Sequence, residues 1–235
     1  MDFYTEFAAH YEAIFPFSET VYSYLRRYLP APPAAVLDVG CGTGHYVRRL
    51  ERDGYWAVGI DLNAAMIDYA RVHHPTTEFR VLNMLDITDL GQRFDAAACI
   101  GNTAAHLAQA QMATFLERVG KVLARDGVWV LQVMNWDYVI AQKHVVFPVI
   151  EGPGGVIFYR EYRDISPEQV AFATRLEVGG ATVFEDMTPL YPLRSDAIVA
   201  LHEARGFALV DHAGSYGGAP FDPEVFSANI FVFRH

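Results

Sequence analysis

The sequence predicts an α/β protein, with a seven-stranded, mostly parallel sheet, helices on both faces and a small antiparallel insertion after the fifth strand. Three observations carry that reading. From Val36 onward, short apolar runs alternate with segments of helical period. A glycine-rich turn separates the first such run from the helix that follows it. Between residues 145 and 193 the apolar period changes to two, and helical period then returns.

The first segment, YTEFAAHYEAIFPFSETVYSYLRRYL, spaces apolar and aromatic residues three to four apart and is interrupted at Pro16. It predicts two helices within residues 1–30, packed over the sheet. Residues 34–144 then read as repeated β-α-β: AAVLDVG, HYVRRLERDG, YWAVGID, AAMIDYARVHH and TEFRVLNM. RFDAAACIG reads as a fourth strand, QMATFLERVGKVLARDG as a helix stopped at Gly127, and VWVLQVMN as a fifth strand. Such repetition requires parallel strands joined by right-handed crossovers. In residues 145–193, VIFYREYRD, QVAFATRLEV and ATVFEDM alternate around Gly179 and Gly180, a favoured two-residue hairpin turn. SDAIVALHEARG is then a helix, and FALVDHAGSY and NIFVFRH return two strands to the main sheet, so residues 1–235 are expected to form one domain.

Composition narrows the partners. The chain has 235 residues, of which 52% are hydrophobic and 20% charged, enough for a sizeable core. Its net charge is −10, and only Lys121 and Lys143 are lysines, so no nucleic-acid partner is expected. Cys41 and Cys99 do not make a disulfide framework, and no apolar run is long enough for a membrane span. With no secretory leader pattern, the expected location is the cytoplasm. Nothing points to a metal, and the oligomeric state is left open, a dimer included.

The glycine-rich turn lies in VLDVGCGTGHY, residues 36–46. A dinucleotide fingerprint would need glycine at position 45 or 47, where this chain has His45 and Val47. Instead Asp38 precedes Gly40, Gly42 and Gly44, and a second acid, Asp61, ends the next strand. In this D-x-G-x-G-x-G turn the sequence resembles the class I S-adenosylmethionine-dependent methyltransferases, which implies a Rossmann-like fold and S-adenosylmethionine as cofactor. That ligand has no pyrophosphate. Its zwitterionic methionyl group must approach the backbone closely, which favours residues without side chains, and Asp61 supplies two acceptor oxygens for ribose hydroxyls.

The resemblance covers residues 36–137 and implies further contacts. Leu62 would follow the ribose acid, Asn83 would face the adenine amino group, Met84 its ring, and Asp86 is a second candidate for that group. FDAAACIGNTAAHL and VMNWDYVI are similar to segments of glycine N-methyltransferase, which implies that the Ile100 carbonyl meets the cofactor's amino group. Where that enzyme has an arginine for its substrate carboxylate, this chain has Met134, which argues against glycine itself as acceptor.

Methyl transfer from a sulfonium is an in-line displacement, so the protein mainly aligns the nucleophile and excludes water. His106, beyond the fourth strand, is the best-placed base, and Asn135 and Tyr138 follow the fifth strand at the same mouth. In the insertion, alternation puts Phe158, Arg160 and Tyr162 on one face, with Arg160 and Tyr162 as candidate substrate contacts. Tyr11 is expected to close over the cofactor, core packing being its other available role. The expected activity is methyl transfer to a nitrogen or oxygen of a small-molecule acceptor. A cofactor-binding regulatory or assembly protein without catalysis is the alternative, and the missing third glycine disfavours a nicotinamide oxidoreductase.

Overall fold

The computed structural model describes residues 3–235. Pro16 parts α1 (Phe3–Ile14) from α2 (Glu19–Tyr28), and the Ser18 hydroxyl caps α2 by accepting from the Val21 N–H. There follow β1 (Ala35–Val39), α3 (His45–Arg52), β2 (Trp56–Asp61), α4 (Ala64–His73) and β3 (Glu78–Val81). A short 3-10 stretch, Met84–Leu90, leads to β4 (Phe94–Cys99), and a second, Thr103–His106, leads to α5 (Gln109–Val122) and β5 (Leu123–Met134). A single turn, α6 (Trp136–Val139), precedes the insertion strands β6 (Val145–Val146), β7 (Ile150–Gly152), β8 (Val156–Arg163), β9 (Val170–Val178) and β10 (Ala181–Leu190). The chain ends with α7 (Ser195–Glu203), β11 (Ala208–Ala213) and β12 (Ala228–Arg234).

The main sheet has the order β11-β12-β5-β4-β1-β2-β3. Strands β1 to β5 run parallel, and β12 is antiparallel to both of its neighbours, β5 and β11, which gives the mostly parallel seven-stranded sheet that the sequence predicts. Residues 36–39 of β1 are all buried, which suits a central strand covered on both faces. One core packs Leu37, Ile60, Trp129 and Phe231 against Phe115 and Leu116 of α5; the other packs Val36 and Val130 against α2, α3 and Ile67 of α4. The strand order reverses between β1 and β4, so the loops after these strands diverge and leave a crevice at their carboxyl ends. Among the described residues, no helix is long and apolar enough to cross a membrane.

Two elements differ from the sequence reading. The helix expected to stop at Gly127 ends at Val122, because Leu123 already pairs with Phe94. The chain then turns at Asp126, whose φ is 60° and whose N–H donates to the His235 carbonyl. Helix α1 does not share the sheet face that α2 covers. Its Ile14 is buried with Phe158, Leu176 and Phe184 of the insertion, and Phe7 and Phe15 flank them, because matching aromatic surface lies there. The insertion itself is an antiparallel sheet, β10-β9-β8-β6 with β7 also on β8. Its β9–β10 turn carries both glycines at positive φ, 60° for Gly179 and 83° for Gly180.

One buried polar group makes this fold sensitive to acid. His202 of α7 is 1% exposed, stacks on Phe233 and accepts a hydrogen bond from the Trp129 indole N–H at 3.0 Å. Its other ring nitrogen donates to the Ile198 carbonyl at 2.6 Å, so the neutral ring fits and a second ring proton would face a donor. Burial pushes its pKa down to about 4. The unfolded chain takes up this proton near pH 6.5 and the fold does not, so His202 contributes full stability above about 6.5 and loses it as pH falls toward about 4. Urea unfolding at pH 7 and pH 4.5 is expected to show wild type losing about 2 kcal/mol more than His202→Gln across that interval. Equal losses would remove His202 as the cause.

Candidate functional site

The loop after β1 turns sharply through three left-handed glycines, Gly40 (φ 79°), Gly42 (φ 54°) and Gly44 (φ 83°). The N–H groups of Gly40 and Cys41 donate to the Ile60 carbonyl, which ties the loop to the end of β2. The glycines differ in what surrounds them. A Cβ on Gly40 would lie 2.4 Å from Thr103 Cγ2, and one on Gly44 2.4 Å from the Phe79 ring. A Cβ on Gly42 would meet only the Tyr11 ring of α1, at 3.2 Å. Gly40 and Gly44 therefore permit packing within the core, while Gly42 lies against the Tyr11 ring of the N-terminal helix.

Two acids border that space. Asp61 ends β2, and its carboxylate accepts from the Gly42 N–H and the Asn63 N–H, both at 2.9 Å. Asp38 is 6% exposed, and its carboxylate accepts no hydrogen bond among the described residues. Burial first, and then the charge of Asp61, push its pKa up to about 7. Burial also raises Asp61, with the two backbone donors pulling the other way. Tyr11 lies between them: burial, then the charges of Asp61 and Asp38, hold its hydroxyl well above the usual tyrosine range. Tyr46 and Tyr216 also feel the charge of Asp38. Among the described residues no arginine or lysine acts on Asp38, so a cationic ligand would supply the missing charge.

The structure brings some expected residues to this crevice and assigns others elsewhere. Leu62 is exposed at its rim, and Met84 is half-buried beside it in sequence to Asn83. The Asn83 carbonyl oxygen is engaged by the Leu85 N–H at 2.9 Å, leaving its amide nitrogen free, which suits a ring nitrogen better than an amino group. Asp86 is on the surface, paired with Arg118 at 2.9 Å. The Ile100 carbonyl accepts the Thr103 hydroxyl at 2.8 Å and the Thr103 N–H at 3.4 Å. His106 is exposed at the mouth, near enough to Asp61 to feel its charge; partial burial lowers its pKa and Asp61 offsets this.

Four residues proposed from sequence beyond the cofactor half are placed as follows. Asn135 is 1% exposed, donates to the Pro223 and Phe226 carbonyls at 2.7 and 2.8 Å, and accepts from the Tyr138 N–H. With both donors and its oxygen engaged by backbone, it caps α6 and is not a reacting group. Tyr162 is 3% exposed, stacked on Trp136 and edge-on to Phe147 and Phe172, so its ring is core and not a substrate surface. Tyr138 is exposed and its ring lies outside this aromatic cluster. Arg160 is half-buried over the rings of Phe147, Phe15 and Phe158, without a carboxylate partner among the described residues. Sequence reading missed Tyr46 and Tyr216. Tyr46 lies two residues past the last motif glycine, a position the motif itself marks, whereas Tyr216 sits in an irregular loop with no periodic signal.

Residues 36–127 match a family model described as a methyltransferase domain. A dTDP-3-amino-3,6-dideoxy-alpha-D-glucopyranose N,N-dimethyltransferase from Streptomyces fradiae is 32% identical over 155 residues, 66% of this chain and 58% of that protein. Glycine N-methyltransferase from Mus musculus is 28% identical over 142 residues, 53% of this chain and 46% of that enzyme. The chain thus spans about half the length of these curated relatives. Residues 36–127 thus resemble the methyltransferase domains of such enzymes. A solved S-adenosylmethionine-dependent methyltransferase from Clostridium acetobutylicum shares the fold, with a TM-score of 0.82 at 14% identity, covering 99% of both chains.

S-adenosylmethionine, the ligand that this resemblance implies, fits the charge of the crevice. Its cationic ammonium answers Asp38, which has no cationic partner among the described residues, and Gly42, without a side chain, lies against the Tyr11 ring at the same turn. The distinct surroundings of the glycines give different outcomes on substitution. Gly44→Ala is expected to destabilise the fold by about 2–4 kcal/mol, through left-handed strain plus overlap with Phe79. Gly42→Ala is expected to cost only about 1 kcal/mol in stability yet weaken S-adenosylhomocysteine binding by about tenfold or more. Thermal melts and calorimetric titration separate the two, and equal effects of both variants on melting and binding would contradict the assignment.

Proposed function

We propose that the chain transfers a methyl group from S-adenosylmethionine to an amine nitrogen of a small molecule. The observation that carries this reading is the pair of carboxylates at the glycine turn, Asp38 buried without a cationic partner among the described residues and Asp61 half-buried and held by two backbone N–H groups, with His106 near enough to feel Asp61. The choice of nitrogen is supported by the two curated relatives, both named as N-methyltransferases. A net charge of −10 with two lysines supports an acceptor other than nucleic acid, and two buried free thiols are in keeping with a cytoplasmic setting.

When bound, S-adenosylmethionine supplies a methyl group activated by its positively charged sulfur. In this reading Asp38 balances the ligand's positive charge, Asp61 accepts from the ribose hydroxyls while holding Gly42 and Asn63, and Asn83 and Met84 frame the adenine. Leu62 lies at the rim, and Tyr11 covers Gly42 and keeps water out. An acceptor amine arrives largely as ammonium and must lose a proton before its lone pair can attack. The imidazole of His106 is disposed to take that proton, since burial favours its neutral form near neutral pH.

Two experiments test the reading. Because Asp38 must be ionised to meet a cation, S-adenosylhomocysteine affinity is expected to rise about tenfold from pH 6 to pH 8, levelling off above about 7. Asp38→Asn flattens that profile; a flat profile in wild type removes Asp38 from ligand binding. In a methyl-transfer assay on an amine panel, His106→Gln is expected to lower kcat by about tenfold to a hundredfold and to abolish the acidic limb of the pH profile. Unchanged kcat and an unchanged limb would exclude a proton-accepting role, and S-adenosylhomocysteine binding without turnover of any amine would favour a regulatory protein.

A further inference from the structure

Register divides the inner face of the insertion sheet into three rows across β8, β9 and β10. Phe158, Leu176 and Phe184 form the first, all buried and covered by α1 through Ile14, Phe7 and Phe15. Tyr162, Phe172 and Thr188 form the third, where Tyr162 stacks on Trp136 and its hydroxyl accepts from the Asn102 amide at 3.4 Å. Between them lies a polar row, Arg160, Thr174 and Asp186, in which all three are half-buried. One flank of this row therefore meets α1, whose Tyr11 covers Gly42, and the other meets the loop after β4 that leads to His106. The row lies between those two elements, one of which touches Gly42 through Tyr11 and the other Gly40 through Thr103.

The two ends of the row carry opposite charges that do not pair with each other. Arg160 leans over Phe147, 5.3 Å from its ring centroid, and donates to the Pro148 carbonyl at 3.3 Å; its Nε is buried without a partner. Asp186 accepts only from the Thr188 hydroxyl, at 2.6 Å, among the described residues. Their strands are two spacings apart, about 10 Å between backbones. A cation and an anion held apart, with aromatic rows above and below to exclude water, match a small ligand of the complementary polarity.

We propose that Arg160, Thr174 and Asp186 are the acceptor-recognition row, and that the acceptor is an amine that also carries an anionic group. This rests on the N-methyltransferase reading and narrows its substrate class. Asp186 receives the amine end and directs it toward the crevice, Arg160 binds the anionic substituent, and Thr174 offers a hydroxyl between them. Ligand polarity, and not size alone, is then what the insertion selects.

The test uses the full chain saturated with S-adenosylhomocysteine and calorimetric titration with matched pairs: glucosamine 1-phosphate and glucosamine 6-phosphate against glucosamine, and 4-aminobutyrate against its amide. At least one anionic amine is expected to bind about tenfold more tightly than its neutral counterpart. Arg160→Gln should reduce that preference to within about threefold, Arg160→Lys should retain part of it, and Asp186→Asn should weaken both members of the pair about equally. Melting temperatures and S-adenosylhomocysteine affinity are expected to stay near the wild-type values in all three variants. The proposal is overturned if no anionic amine binds more tightly than its neutral partner, if none of the probes binds, or if Arg160→Gln keeps the preference. Failure of wild type to bind S-adenosylhomocysteine would instead overturn the N-methyltransferase reading itself.

Discussion

The site depends on two like charges held at the ends of neighbouring strands. Asp38 of β1 and Asp61 of β2 are brought together by parallel pairing, Asp38 opposite Gly59 and Val39 opposite Ile60. Burying one carboxylate without a partner is costly, and burying two raises both pKa values. The protein meets part of this cost at Asp61, where two backbone N–H groups of the glycine loop and of the α4 cap converge. At Asp38 it does not. That asymmetry leaves the glycine turn pinned while one charge remains uncompensated, which is the condition of a preformed site for a cation. It also means that Asp61 has two functions that substitution cannot separate, since its loss leaves the Gly42 and Asn63 N–H groups without their acceptor.

Helix α1 joins this site to the insertion through a single aromatic stripe. Phe7, Tyr11 and Phe15 recur every four residues, so they lie on one helix face, with ring centroids 5.7 and 5.3 Å apart along it. Tyr11 closes on Gly42, while Phe7 and Phe15 pack on Phe158. A displacement of Tyr11 from the glycine turn as a rigid part of α1 therefore moves the rings that cover one flank of the insertion's inner face. The cofactor half and the insertion thus share one packing element, not merely a covalent connection.

The parallel sheet, the glycine turn and the insertion were legible in the sequence because each has a local physical signature: continuous apolar runs, left-handed glycines and period two. Asp38 and Asp61 were legible because strand ends are fixed once strands are fixed. The failures lie where long-range partners decide. Asn135 reads as a polar residue past the fifth strand, but the distant carbonyls of Pro223 and Phe226 take its donors. Tyr162 reads as a candidate contact by alternation, yet its face meets Trp136 of α6. Asp186 was not singled out, since only its register with Thr174 and Arg160 sets it apart from other strand acids.

Asn135 and Asp137 acquire their meaning from the insertion's covalent geometry. The chain leaves the main sheet after β5 and re-enters at α7, and those two points must be held together or the insertion would swing relative to the crevice. Asp137 makes that closure: its carboxylate accepts from the Ser195 N–H at 3.0 Å and from the Ser195 hydroxyl, and it pairs with Arg194 at 3.0 Å. Ser195 in turn accepts from the Asn229 amide at 2.7 Å, and the Asn229 oxygen accepts from His212 at 2.6 Å, so the clamp is rooted in β12 and β11. Asn135 fixes the same exit point to the loop before β12. The segment N-W-D-Y is thus a brace at the base of the insertion. Its polar residues hold still the surface on which recognition depends, which explains why they follow a strand end that faces the site yet do not reach into it.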